Sequence, residues 1–292
     1  MAISRDFIVT LLGTGVPSPT LDRFGASALV QAGTETLLFD CGRGTLQRLY
    51  QLKVNLQDAR LLFLTHLHSD HSTGIPDLWL TPPVFASRGF GRSDALQVYG
   101  PVGTHHMMHH LQEAYSADTN AMTSADFIHE SGYGLLYEEF EEGIVYQRNG
   151  VTVSAFLVEH VNIKPAYGFK VEYDGRVAVL SGDTTYCENL IKHAEGADLL
   201  IQEVAMVPEN SQEIPEHIRG VLNWHTTPEQ AAKIFTRAEP KLAVYTHLAL
   251  FLGATEEELI NRTQRTYGGA LEVGYDLASF EVGRERGVFL QR

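Results

Sequence analysis

The sequence predicts an α/β fold in which two β-sheets pack together and are covered by helices. Three observations predict it. The first forty residues alternate apolar runs with Gly- and Pro-bearing turns, as a hairpin-rich start does. Apolar runs then alternate with segments of helical period. The same order returns in the second half, and strands then helices, repeated twice, imply two layered sheets.

Taken in order, FIVTLL (7–12), SALVQA (27–32) and TLLFD (36–40) read as strands. Residues 44–53 follow as a helix, with Leu46, Leu49, Tyr50 and Val54 at helical spacing. LLFLT (61–65) is a short apolar run that suits a buried strand. LQVYG (96–100) is another strand, and after Pro101 a helix is expected over 104–115. Residues 117–142 are the least regular and end in the acidic run EEFEE, so a mobile rim or lid is expected there. VTVSAFLV (151–158), YGFKVEY (167–173), RVAVLSG (176–182), DLLIQEV (198–204) and KLAVYTH (241–247) resume the strands. Helices are expected over 186–195, 228–238 and 255–266. Thr227 as N-cap and Pro228 at the first helical position make a sharp start for the second of these.

No composition break marks a linker, so residues 1–292 are expected to form one domain. A chain of 292 residues buries a full core without disulfides or structural metals, so any metal here is expected to serve chemistry. Only Cys41 and Cys187 are present, and a reduced, cytoplasmic setting is the expectation. No run approaches the roughly 18 apolar residues of a membrane span, and the N-terminus lacks the pattern of a signal peptide. The net charge of -14 and the absence of a Lys/Arg-rich run argue against an extended nucleic-acid surface. Two bound divalent cations would reverse the sign locally, so a phosphate substrate remains compatible.

The sharpest signal is THLHSDH, residues 65–71, directly after the LLFLT strand. In an extended chain side chains alternate, so His66, His68 and Asp70 are expected to project together, with His71 joining as the chain turns. Imidazoles and carboxylates are the donors that zinc and similar metals take. A lone buried histidine is usually a hydrogen-bonded core residue. Four such groups within six residues are different, because burying them together without a cation is costly. They exceed what one tetrahedral site needs locally, and a pair of metals is the natural reading.

With H-x-H-x-D-H at a strand end, the sequence resembles the metallo-β-lactamase superfamily, a four-layer αββα sandwich of two mixed sheets flanked by helices. That resemblance implies that His66, His68 and His160 bind one metal. It implies that Asp70, His71 and His247 bind the other, with Asp183 bridging. The opening LLGTGVPSPTLDRFGAS (11–27) and FDCGRGTLQRL (39–49) are similar to the ribonuclease Z and arylsulfatase-like branch. LLIQEVA (199–205) stands where ribonuclease Z carries His-Glu-Ala-Thr; Glu203 matches, while Gln202, Val204 and Ala205 depart. WHTTPEQAA (224–232) is similar to that family's His-Ser-Thr motif, with His225 in place. The resemblance makes Asp70, Glu203 and His225 the candidate catalytic residues, His225 protonating the leaving group with Glu203 beside it. One departure is clear: only 23 positions separate His160 from Asp183, which leaves no room for the protruding tRNA-gripping arm of the bacterial enzymes.

The expected activity is hydrolysis of an ester-type bond by a metal-activated hydroxide. The cofactors are two divalent ions, with Zn2+ first and Mn2+ or Fe2+ as alternatives. The resemblance points to a phosphodiesterase acting on an RNA 3′ end, that is, a tRNA 3′-processing endonuclease. The missing arm and the acidic charge point instead to a small-molecule ester hydrolase, whether arylsulfatase, lactonase or carboxylesterase; a β-lactamase fits the motifs less well. A redox role of the flavodiiron kind would need a carboxylate in the first motif and a flavin domain, and the sequence has neither. Relatives imply a homodimer and no membrane partner. Outside these motifs, Asp40 is a candidate to orient a ligand imidazole from behind. His105, His106, His109 and His110 are expected to form a partly exposed helix face, and His129, His193 and His217 to be surface or core residues.

Overall fold

The computed structural model describes residues 5–124 and 130–283. The first half runs β1 (Arg5–Gly13), β2 (Ser27–Gly33), β3 (Glu35–Phe39), α1 (Thr45–Gln51) and β4 (Leu61–Phe63). It continues through α2 (Ser69–Ser72), α3 (Ile75–Val84), β5 (Leu96–Gly100), α4 (Thr104–Ala114), α5 (Ser116–Ser124) and β6 (Leu135–Glu139). The second half opens with β7 (Gly143–Arg148), β8 (Val151–Leu157), β9 (Tyr167–Tyr173) and β10 (Arg176–Leu180). Next come α6 (Glu188–Ala194), β11 (Leu199–Met206), α7 (Glu216–Leu222), α8 (Pro228–Ala238) and β12 (Ala243–Leu250). α9 (Glu256–Gln264), β13 (Leu271–Val273) and β14 (Ser279–Glu281) complete it.

The strands form two seven-stranded sheets, ordered β14-β1-β2-β3-β4-β5-β6 and β13-β12-β11-β10-β9-β8-β7. Both follow one pattern. β14, β1, β2 and β3 pair antiparallel and β3 to β6 pair in parallel. In the other sheet β7 to β10 pair antiparallel and β10 to β13 in parallel. Each sheet buries one face against the other through Phe7, Val9, Phe39 and Phe63 on one side and Val153, Phe169, Val171 and Val244 on the other. The outer face of the first sheet packs on α1, α3 and α4 through Leu46, Leu49, Trp79 and Met108. That of the second packs on α6, α8 and α9 through Leu190, Phe235 and Leu259. The result is the expected αββα sandwich. No helix among the described residues is long and apolar enough to cross a membrane.

The expected elements recur with small shifts, and Thr227 caps α8 in a full capping box with Gln230. The segment 117–142 is more regular than its sequence suggests. It contains α5 and β6, and β6 pairs in parallel with β5 as the sheet edge. The acidic run hides this strand because Glu138 and Glu139 are both exposed at its end, and charged edge strands resist pairing with other chains. Residues 125–129 of this segment, His129 among them, lie outside the described residues.

Helix α3 carries Pro82 and Pro83 in its interior. Neither has an N–H, so the carbonyls of Leu78 and Trp79 lose their helical donors. Arg92, fully buried, replaces both: Nη1 donates to Leu78 O at 2.9 Å and Nη2 to Trp79 O at 2.8 Å. Arg92→Met keeps the apolar stem but strands two buried acceptors. It should lower unfolding stability by about 3 kcal/mol in urea denaturation; a loss within that of ordinary surface variants would disprove this role.

Candidate metal centre

Asp40 follows β3 in the left-handed backbone region, with φ 58°. Its N–H donates to Phe63 O at 2.8 Å, which ties the end of β3 to the end of β4. Its carboxylate then collects three donors. Oδ1 accepts Thr65 N–H at 2.8 Å, and Oδ2 accepts the Thr65 hydroxyl at 2.8 Å and His71 Nδ1–H at 2.7 Å. Gly42 permits this close approach, since a Cβ there would lie 2.4 Å from Asp70 O. The strand therefore stops at Phe63, and the chain has turned into α2 by Ser69. This differs from simple alternation: His66 and His68 stay together, but Asp70 sits on a helical turn with His71 and faces another partner.

The second sheet supplies the rest from its strand ends. His160 follows β8 and donates Nδ1–H to Trp224 O at 3.0 Å. Asp183 follows β10 through Gly182, whose φ of 59° and contact with Tyr167 O suit only glycine. His247 lies within β12, where the register with β11 shifts from Glu203↔Thr246 to Val204↔Leu248. His247 is thus the extra residue of a β-bulge, with φ 46°, and the bulge turns its ring into the centre.

Two groups of donors result. His66 Nε2 lies 2.9 Å from His68 Nδ1, which lies 3.2 Å from His160 Nε2, and Asp183 completes the first group. Asp70, His71 and His247 form the second, with His247 Nε2 3.1 Å from Asp70 Oδ2. Asp183 Oδ2 stands between them, 3.8 Å from His66 Nε2, 3.4 Å from His71 Nε2 and 3.5 Å from His247 Nε2. Two clustered His/Asp sites sharing one carboxylate are the arrangement of a dinuclear metal centre.

The hydrogen bonds test the fit of a metal. The Thr65 hydroxyl spends its proton on Asp40, so it accepts from His66 Nδ1–H at 2.9 Å, and His66 Nε2 keeps its lone pair. Asp40 likewise takes Nδ1–H of His71. His71 Nε2 is then buried without a hydrogen-bond partner and faces carboxylate oxygens of Asp183 and Asp70 at 3.4 and 3.7 Å. Burial opposes charge on His71, yet Asp183 and Asp40 outweigh it and hold its protonation well above the ordinary range. That position demands positive charge, which a divalent cation supplies in place of the proton. Burial, reinforced by the neighbouring His71, keeps His66 well below the usual imidazole range, and burial takes His160 down to about 4. Burial opposes ionisation of Asp70, but its hydrogen bond to His247 prevails and brings it to about 2. Neutral imidazoles and ionised carboxylates are the states that ligate.

Beside this centre Glu203, buried in β11, accepts Thr226 N–H at 2.8 Å and meets His225 Nδ1 at 3.0 Å. Burial disfavours the imidazolium, but the charge and hydrogen bond of Glu203 push His225 up to about 9. His225 Nδ1 is 3.9 Å from Asp183 Oδ2. His68, Asp70, Asp183 and His225 all open into a cavity of about 370 Å³ walled by Val221, Trp224 and Phe251.

Residues 7–227 match the family model described as the anti-Pycsar protein Apyc1. The chain is also similar to ribonuclease Z of Mycobacterium marinum, 34% identical over 276 residues that span 94% of this chain and 98% of that one. The chain belongs to the metallo-β-lactamase superfamily of hydrolases and is related to its ribonuclease Z branch. Among solved structures it resembles the metallo-β-lactamase fold protein YhfI of Bacillus subtilis, with a TM-score of 0.72, 20% identity and coverage of 94% and 99% of the two chains. The short form of human tRNase Z gives 0.69 at 23% identity, covering 94% and 99%. At those identities the likeness is one of fold.

In this superfamily member all seven expected ligands converge. The interval between His160 and Asp183 holds β9 and β10 and nothing larger. His193 stacks on Phe156 at 4.4 Å, and His217 is exposed. Thr65 and the Trp224 carbonyl went unread in the sequence, since a hydroxyl and a backbone oxygen carry no motif. Asp40→Asn places an amide where His71 donates and should weaken metal affinity by about 10- to 100-fold. Chelator competition measures this, with far-UV circular dichroism confirming the fold; unchanged affinity would refute the orienting role.

Proposed function

We propose that the chain is a dinuclear metal-dependent hydrolase of ester-type bonds, most like a ribonuclease Z-type phosphodiesterase. The observation that carries this reading is the Glu203–His225 pair, joined at 3.0 Å and lying beside Asp183 at the cavity over the donor cluster. His66, His68 and His160 would hold one ion and Asp70, His71 and His247 the other, with Asp183 between. The imidazole-rich set suits zinc, and manganese or iron(II) accept the same donors. When bound, the ions supply Lewis acidity and a water of lowered pKa. Asp70, held ionised and lining the same cavity, is placed to orient an attacking water. His225 has Nδ1 committed to Glu203, so Nε2 is the nitrogen left for substrate. Protonated below about pH 9, it can hand a proton to the departing oxygen.

A second reading, hydrolysis of a small ester, is favoured by the cavity itself. Among the described residues its lining includes Val16, Pro17, Trp224 and Phe251 but no Lys or Arg. Such walls suit a compact, partly apolar substrate better than a polyanion.

His225→Ala should slow substrates with poor leaving groups by about 10²-fold or more and activated aryl esters far less; equal losses on both would remove His225 from the proton step. For poor leaving groups the wild-type rate should fall as pH rises through about 9, where His225 loses its proton, and the variant should lack that limb. Cleavage of a 3′-extended precursor tRNA, with Asp183→Ala as control, separates the two readings. Cutting after the acceptor stem supports the first. No cutting, from protein that hydrolyses small diesters or aryl esters, selects the second.

A further inference from the structure

A separate set of metal donors lies on the outer face of α4. His106, His109, His110 and Glu113 stand at i, i+3, i+4 and i+7, so all four share one stripe of the helix. That stripe usually carries the apolar residues a helix buries. Here Thr104 and Met108 are buried on the other side, and the stripe faces solvent, with side-chain exposures of 52% at His109, 54% at His110 and 61% at Glu113.

The donors are already close. His106 and His110 bring their rings to 4.3 Å between centroids. His109 Nε2 lies 3.5 Å from Glu113 Oε1, and His110 Nδ1 lies 2.9 Å from Glu113 Oε2. One donor atom from each of His109, His110 and Glu113 falls within 4.8 Å of the others. Ligands on a tetrahedral zinc are about 3.4 Å apart, given metal–nitrogen bonds of about 2.1 Å. Small rotations of exposed side chains close that gap.

The geometry points to a second class of metal site on this helix, taking a divalent transition ion such as Zn2+, Ni2+ or Cu2+. Two imidazoles and one carboxylate already grouped, with the His106 ring 4.3 Å from that of His110 as a third imidazole within reach, are a donor set of the borderline kind these ions prefer. Its position on α4 separates it in the fold from the buried centre, and solvent access makes it readily exchangeable. His105 takes no part; it packs edge-on against Tyr137 at 4.9 Å.

The test uses the full chain without an affinity tag, already carrying the metals of its buried centre. Zn2+ is titrated in, and metal per chain is read by plasma mass spectrometry after equilibrium dialysis. Retention on immobilised Ni2+ gives a second readout. The wild type should take up one more equivalent than H106Q/H110Q and elute at higher imidazole. Glu113→Gln should weaken this extra binding about tenfold. H217Q, which alters an exposed histidine elsewhere, should match the wild type in both readouts. The metal content of the buried centre, read before the titration, should be the same in every variant. Equal metal content and retention in wild type and H106Q/H110Q would overturn the site, as would loss of the extra equivalent in H217Q.

Discussion

Asp40 is a single buried carboxylate on which both halves of the metal centre depend. Through Oδ2 it fixes the proton of His71 directly, and through the Thr65 hydroxyl it fixes that of His66. One imidazole of each donor group is thus set in the tautomer that presents Nε2. Through Oδ1 it also holds the Thr65 N–H and so ends β4 where the motif must begin to turn. A buried carboxylate with fewer partners would carry a heavy desolvation cost; three charge-assisted hydrogen bonds offset it. The left-handed backbone at Asp40 is a small local strain that this network over-determines.

The second dependence is on the packing of the sheets. His66, His68, Asp70 and His71 follow strands of one sheet, while His160, Asp183, Glu203 and His247 belong to the other. Neither the His66, His68, His160 and Asp183 group nor the Asp70, His71 and His247 group is complete within a single sheet. The ligand distances are therefore held by the core between them, where Phe39 packs against Phe63 at 5.3 Å and against Phe169 at 5.1 Å. Close-packed interiors transmit displacement rather than absorb it. A volume change at this aromatic cluster would be felt at the centre without any ligand being touched. The repeated pairing pattern accounts for the place of the centre, because the carboxyl ends of parallel strands in each sheet, β4 in one and β10 in the other, lead directly into residues that cluster there.

Much of this was legible in the sequence, for identifiable reasons. Donors at the ends of apolar strands, such as His160 and Asp183, are picked out by the resemblance to the metallo-β-lactamase superfamily, and the structure brings them beside His66 and His68. Thr227 announced α8 because a cap and a proline share one physical cause. What stayed hidden depends on partners remote in sequence. The separation of Asp70 from His66 and His68 follows from Asp40 stopping the strand early. The bulge at His247 is a two-versus-one mismatch with β11, which no single segment can show. The burial of Arg92 depends on the prolines of α3, which leave two carbonyls for it. Edge strands β6 and β7 keep one face in water, so their apolar alternation is faint.

The centre uses one chemical device twice. Asp40 with His71 and Glu203 with His225 are both carboxylate–imidazole pairs, at 2.7 and 3.0 Å; burial opposes the charge on each ring, and it is outweighed at His71 by Asp183 and Asp40 together and at His225 by Glu203. What separates them is the far side of the ring. His71 Nε2 is buried against Asp70 and Asp183, where a divalent cation would take the place of the proton. His225 lines an open cavity, with Glu203 behind it. Under the proposed function the first imidazole therefore becomes a ligand and the second a proton donor. The carboxylate behind each ring holds its Nδ1 proton, and the group in front sets its role.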